Sequence, residues 1–281
     1  MGFDIAVPKK EDQLFSLMEG SEYHLLAGGT DLFVKIEKGL IEPGQIIDLT
    51  EVLDGPKFRE RSDEVEIRAT TTHGDLARSS LIGEEFPVLA RSAGAVGGTQ
   101  LRNMATVGGN ICNASPSADT LIALYLLDAE VNLMSREGPR SLSIKNFITG
   151  PGETRLRRGE YLKSITVPRL AGEFSHFFKK VGRRNALDIS VCSMGFLLKE
   201  TESIIESIRL AYGAVAPVIV RPKSVENYLQ GEEISESTIS EARELLRGEI
   251  SPISDIRGSA EYREEVALRS LEELKNVSES P

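Results

Sequence analysis

The chain has 281 residues, 40% of them apolar and 27% charged, the composition of folded globular domains rather than of a disordered or fibrous chain. Its formal net charge of −10 argues against a polyanionic partner, so nucleic acid is excluded as the expected ligand. Two cysteines far apart in sequence, Cys112 and Cys192, form no CxxC motif and offer no ligand set for an iron–sulfur cluster. So low a cysteine count fits a reducing compartment. The opening MGFDIAVPKKEDQ has no signal-peptide pattern and no apolar run reaches membrane-span length, so a cytoplasmic chain with no membrane span is expected.

In chain order, Leu14, Leu17 and Met18 fall at helical spacing after Pro8, and Gly20 suits a helix end, predicting a short amphipathic helix. Leu25-Leu26-Ala27-Gly28-Gly29-Thr30-Asp31-Leu32 reads as a short apolar strand, a glycine turn, and a helix from about Asp31 to Lys38 stopped by Gly39. The amides of Gly28, Gly29 and Thr30, with the Thr30 hydroxyl, would present several donors to an anion. Gln45 to Asp48 predicts another strand, and Asp54-Gly55-Pro56 a subdomain junction. Val65, Ile67 and Ala69 alternate with charged residues, the pattern of a half-buried strand, and run into the hydroxyl-rich Thr70-Thr71-Thr72-His73. Such threonines mostly cap the next helix; they can also contact a ligand. A helix follows from Pro87 to Ala95.

The richest stretch is Gln100 to Asp119, QLRNMATVGGNICNASPSAD. Gly108 and Gly109 can adopt φ > 0 and expose main-chain N–H groups, and Asn110 adds a donor and an acceptor. Ser115 is expected to cap a helix with Pro116 at its first position, Asp119 in its first turn and Leu121 to Leu127 as its apolar body. Taken singly, paired glycines make a tight turn and such an Asp complements the helix dipole. The Lys-Ser/Thr ending of a P-loop is absent, and GGTD lacks the three-glycine Rossmann spacing, which weakens kinase and simple NAD-binding readings.

Ala129 to Met134 and Ser141 to Ile144 predict strands around a turn at 135–138, Phe147 to Gly152 a loop, and Leu162 to Val167 a strand ended by Pro168. From Phe174 the character changes. Cys192 to Leu198 and Ile208 to Ala214 predict an antiparallel pair, with helices at about Val225 to Leu229, Glu241 to Arg247 and Ser259 to Lys275 and disorder in the last few residues. His24, His73 and His176 are isolated, with no H-x-x-x-H pair and no G-x-S-x-G elbow, so no catalytic residue and no metal site is nominated.

AGGTDL and RNMATVGGNICNASPSAD, in that order, resemble the two pyrophosphate loops in the FAD-binding subunit of the molybdenum hydroxylases, the family containing xanthine dehydrogenase, carbon monoxide dehydrogenase and hydroxybenzoyl-CoA reductase. KKVGRRNALDISV, LAYGAVAP and ISDIRGSAEYR resemble that family's C-terminal domain, so the likeness spans nearly the whole chain. It implies an α+β fold: a two-subdomain FAD-binding domain of the vanillyl-alcohol-oxidase/PCMH type over 1–170, with subdomains of about 1–54 and 55–170. A small C-terminal domain of antiparallel sheet plus helices, of the CO dehydrogenase flavoprotein type, would follow over 171–281. The resemblance implies FAD as cofactor, with Ala27, Gly28, Gly29, Thr30, Asp31 and Leu32, and Thr106, Gly108, Gly109 and Asn110, on its diphosphate and adjoining ribose. It implies Thr72 and His73 near the flavin and Asp119 accepting a hydrogen bond from a flavin hydroxyl or ring N–H. Leu162 would lie against the adenine or flavin, although composition alone reads it as a core residue. Lys179 would approach the isoalloxazine and stabilise its reduced anionic form. The implied partners are a large molybdenum-cofactor subunit, a small iron–sulfur subunit, and NAD or another electron acceptor. Two competing readings are a free-standing FAD-dependent oxidoreductase of the same fold and a non-catalytic nucleotide-binding assembly protein.

Overall fold

The strands up to residue 48 pair in parallel, and the named strands after it pair antiparallel. The computed structural model describes residues 3–20, 22–42, 44–184 and 188–278. Residues 185–187 of the KKVGRRNALDISV stretch, and the final residues 279–281 with their expected disorder, lie outside the described residues. The chain divides into two compact units: Met1–Leu76 with Thr99–Ala114 and Asp128–Arg169, and Ala77–Gly98 with Ser115–Leu127 and Leu170–Pro281.

The first unit opens with β1 (Asp4–Ala6), α1 (Glu11–Met18), β2 (Tyr23–Leu26), α2 (Leu32–Glu37) and β3 (Gln45–Asp48). These strands form a parallel sheet in the order β1-β3-β2. Strand β1 was not expected from the sequence; it spans three residues, and Ile5 at its centre is 46% exposed, so it carries no hydrophobic alternation. Helix α1 buries Leu14, Phe15 and Met18.

Strands β4 (Phe58–Glu60) and β5 (Glu64–Arg68) lead to helices α3 (His73–Arg78), α4 (Ser80–Glu85), α5 (Pro87–Gly94), α6 (Thr99–Arg102), α7 (Val107–Asn113) and α8 (Asp119–Leu126). Strands β6 (Glu130–Ser135) and β7 (Gly138–Ser143), helix α9 (Ile144–Phe147), strands β8 (Ile148–Gly150) and β9 (Glu153–Thr154), and β10 (Tyr161–Pro168) follow. An antiparallel sheet in the order β4-β5-β10-β6-β7 is the core of the first unit, with Ile165 of central β10 flanked by Ile67 and Val131. All three are fully buried. The expected loop at Phe147 to Gly152 is instead the end of α9 and a β8–β9 hairpin turned by Gly152 at φ +75, strands too short to show a period in sequence.

In the second unit β11 (Ser175–Val181), β12 (Cys192–Thr201) and β13 (Ile204–Gly213) form an antiparallel sheet in that order, followed by α10 (Lys223–Leu229), α11 (Glu236–Arg247), α12 (Ala260–Arg269) and, after a 3-10 turn, α13 (Glu273–Ser278). Alternation along the strands assigns the faces. Met194, Phe196, Leu198, Leu210 and Tyr212 share a core with Ile239, Ala242, Leu246 and Leu268 of the helices. On the other face Gly195 and Gly213 make room for α8, since a Cβ at Gly195 would stand 2.9 Å from Ile122 and one at Gly213 would stand 3.1 Å from the same side chain. Helix α8 is buried along its whole length, as its apolar run from Leu121 to Leu126 requires. It begins three residues later than Pro116, the first position expected. Ser115 closes a turn ahead of it, with Ala118 N donating to Ser115 O at 3.1 Å, and Ala118 is the N-cap. Among the described residues no helix is long and apolar enough to cross a membrane.

Candidate functional site

The first glycine stretch is shaped by two different constraints. Gly29 sits at φ +70, which only a residue without Cβ adopts freely. Gly28 has an ordinary backbone but no room: a Cβ there would lie 2.0 Å from Met104 O and 3.1 Å from Ala105 Cα. The stretch between β2 and α2 is therefore in backbone contact with the approach to α7. The amides of Gly28, Gly29 and Thr30 meet no acceptor among the described residues, whereas Phe33 N already donates to Gly29 O at 3.1 Å. Three neighbouring main-chain donors left open can hold an anion without any cation.

The second stretch corrects an expectation. Gly108 and Gly109 are not in the left-handed region; they lie in the first turn of α7, capped by Thr106, whose hydroxyl accepts from Gly109 N at 3.2 Å. Val107 N donates to Thr71 O and Gly108 N to Ala69 O, both at 2.9 Å, so these amides are used by the fold itself. Glycine is required at 108 by packing, since a Cβ would stand 2.7 Å from Ala69 Cβ. Asn110 Oδ1 is buried and has no hydrogen-bond partner, which marks it as an acceptor waiting for a donor. Thr106→Ala should lower stability by about 1 kcal/mol through loss of the cap, measured by urea unfolding.

Thr72 and His73 are brought to the same place. Thr72 pairs with Thr106 in an antiparallel bridge, and His73 N donates to Ala105 O at 3.0 Å. Thr72 Oγ1 donates to Asp75 Oδ2 at 2.7 Å and accepts from Asp75 N at 3.1 Å, so its hydroxyl serves as the cap of α3. Burial would raise Asp75, but Lys57 at 2.7 Å and Thr72 hold its carboxyl below the usual range. Burial, and then the charge of Arg102, push the His73 imidazole down to about 4, so it is neutral at physiological pH. Leu162 is 4% exposed on β10, opposite Leu133, and packs as a core residue of the five-stranded sheet.

Asp119 and Lys179 belong to the second unit. Adjacent residues of a strand point to opposite faces, and the Lys179-Lys180 doublet on β11 is split accordingly. Lys179 pairs with Glu273. Lys180 Nζ instead donates to Asp119 Oδ2 at 2.6 Å and to Ala95 O at 3.0 Å, while Ser190 Oγ donates to Asp119 Oδ1. Asp119 is 5% exposed; burial raises its pKa against the opposing pull of Lys180 and Ser190. Lys180 and Ser190 were not singled out in the sequence, where the doublet alone cannot say which lysine faces the carboxylate.

Residues 1–170 match the family described as FAD binding domain in molybdopterin dehydrogenase, and residues 176–274 the CO dehydrogenase flavoprotein C-terminal domain. The glyceraldehyde dehydrogenase medium chain of Sulfolobus acidocaldarius is 32% identical over 254 residues, covering 90% of each chain. The xanthine dehydrogenase FAD-binding subunit of Escherichia coli O157:H7 is 30% identical, covering 90% of this chain and 87% of that one. Among solved structures, a chain of the carbon monoxide dehydrogenase from Hydrogenophaga pseudoflava lacking the Mo-pyranopterin moiety of its cofactor gives a TM-score of 0.92 at 26% identity, over 99% of this chain and 97% of that one.

Proposed function

The chain belongs to the FAD-binding subunits of the molybdopterin dehydrogenases, and on that premise we propose that it is the electron relay of such an oxidoreductase, holding FAD while another subunit oxidises the organic substrate. The observation that carries this reading is the contact of Gly28 with the Met104 carbonyl, which joins the two glycine stretches into one backbone clasp. Its donors suit a dinucleotide. The open amides of Gly28, Gly29 and Thr30 and the Thr30 hydroxyl are neutral donors for a diphosphate, and the unpartnered Asn110 Oδ1 can accept from a ribose hydroxyl. Ala27, Asp31 and Leu32 would fix the course of the first stretch, and Thr106, Gly108 and Gly109 that of the second. Thr72 and His73 would brace the clasp through their backbone bonds to Thr106 and Ala105, and Leu162 would support it from the sheet.

FAD, when bound, supplies a redox centre that can be loaded with electrons from iron–sulfur centres and discharged to NAD or another acceptor. Asp119, held by Lys180 and Ser190, would accept a hydrogen bond from a flavin hydroxyl or ring N–H, and Lys179 would contribute positive charge toward the ring system. The names of the relatives, medium chain and FAD-binding subunit, describe one member of an assembly, which supports a large molybdenum-cofactor subunit and a small iron–sulfur subunit as partners.

The test is to purify the chain alone and together with its co-expressed neighbours, and to follow visible flavin absorbance on adding candidate organic substrates or NADH. The expected result is bleaching by substrate only in the assembly. A flavin-loaded chain that oxidised an organic substrate unaided, or one that took up no FAD, would overturn the reading.

A further inference from the structure

Asp31 places a carboxylate directly after the three open amides, where an unbalanced negative charge would oppose an incoming diphosphate. Lys35, one turn along α2, answers it: its Nζ lies 2.7 Å from Asp31 Oδ2 and 2.8 Å from Asn113 Oδ1. Asp31 is the N-cap of α2 but makes no side-chain capping bond, so its carboxylate is committed to Lys35 instead. Asn113 is the last residue of α7, and thus one ammonium group links the helix leaving the first glycine stretch to the helix leaving the second. Together with the Gly28–Met104 contact this gives the clasp two attachments, one of backbone and one of charge.

We propose that Lys35 is a positioning residue of the diphosphate clasp, neutralising Asp31 and tying α2 to α7 so that both glycine stretches grip one anion. The proposal rests on reading the clasp as the site of the FAD diphosphate. Lys35 and Asp31 are about half exposed, so their interaction is screened by salt, and the effect of removing the cation is largest at low ionic strength. A residue serving only to pack a helix would show no such dependence.

The experiment uses the full chain stripped of flavin, with FAD titrated by quenching of its fluorescence and ADP, which carries the diphosphate without the flavin, as competitor. Lys35→Met should weaken both FAD and ADP about tenfold at low salt and less at high salt, while Lys35→Arg stays within about twofold of the parent. Adding Asp31→Asn to Lys35→Met should recover a large part of the loss, because the charge left unbalanced is then removed. Lys35→Met that bound FAD and ADP as tightly as the parent, in a protein where ADP displaces FAD, would overturn the role of Lys35 alone. Failure of ADP to compete in the parent chain would overturn the diphosphate reading, and the role of Lys35 with it.

Discussion

Gly28→Ala should give a folded chain that has lost its flavin. The added Cβ would fall 2.0 Å from Met104 O and 2.8 Å from Met104 C, and both are backbone atoms that cannot rotate away. Neither side yields easily. Gly28 is fixed between β2 and α2, while the opposing segment is tied by Ala105 N to Leu101 O at 2.7 Å and by its own carbonyl to His73 N. Relief requires the two stretches to part, at an overpacking cost of about 1–3 kcal/mol in stability. A diphosphate gripped from both sides suffers more, and FAD affinity should fall about a hundredfold, close to 3 kcal/mol. Gly83→Ala is the matched control: a Cβ there would meet nothing within 4 Å, and its position within α4 favours alanine by up to about 1 kcal/mol. Flavin content per chain after purification separates the two variants, and full occupancy in Gly28→Ala would remove the clasp from the account of cofactor binding.

Lys180→Met should destabilise the chain by about 3–5 kcal/mol, because it strands the Asp119 carboxylate, 5% exposed, without its cation. The pH dependence identifies the cause. A carboxylate whose pKa is raised on folding favours the fold below its unfolded value and loses that contribution as pH rises through the folded value. Asp119 is already raised by burial, and without Lys180 it rises further. The deficit of Lys180→Met should therefore be small in the acid carboxylate range and grow toward neutral pH, as read from urea unfolding across that interval. Asp119→Asn added to Lys180→Met should recover much of it. Lys179→Ala, which breaks a half-exposed pair with Glu273, should cost less than about 1 kcal/mol. A deficit in Lys180→Met that did not change with pH would mean that packing, and not charge, is what Lys180 provides.

Local patterns carried the strand, glycine turn and helix at Leu25 to Lys38, because turn chemistry and helical spacing are properties of neighbouring residues. The reason for Gly28 was not local: it is set by Met104, which no spacing rule connects to it. Gly108 and Gly109 illustrate the converse. Paired glycines suggest a turn, yet Thr106 caps a helix through them and Ala69 supplies the close neighbour, an arrangement decided by the segment 69–73 lying alongside. The Lys179-Lys180 doublet shows where a motif runs out, since register alone decided which ammonium met Asp119. Helix α8 was legible as an apolar run, but it lies inside the 1–170 match and packs with the sheet of β11, β12 and β13.

That placement bears on how the protein is made. The polypeptide passes from one unit to the other at Leu76, Gly98, Ala114, Leu127 and Arg169, so all of the first unit leaves the ribosome before the strands that cover Ile122 and Leu126. During that interval the face of α8 that carries Ile122 and Leu126 has no sheet to lie on, an exposed apolar surface of the kind that favours self-association of an incomplete chain. A fragment ended near Arg169 would make that transient exposure permanent.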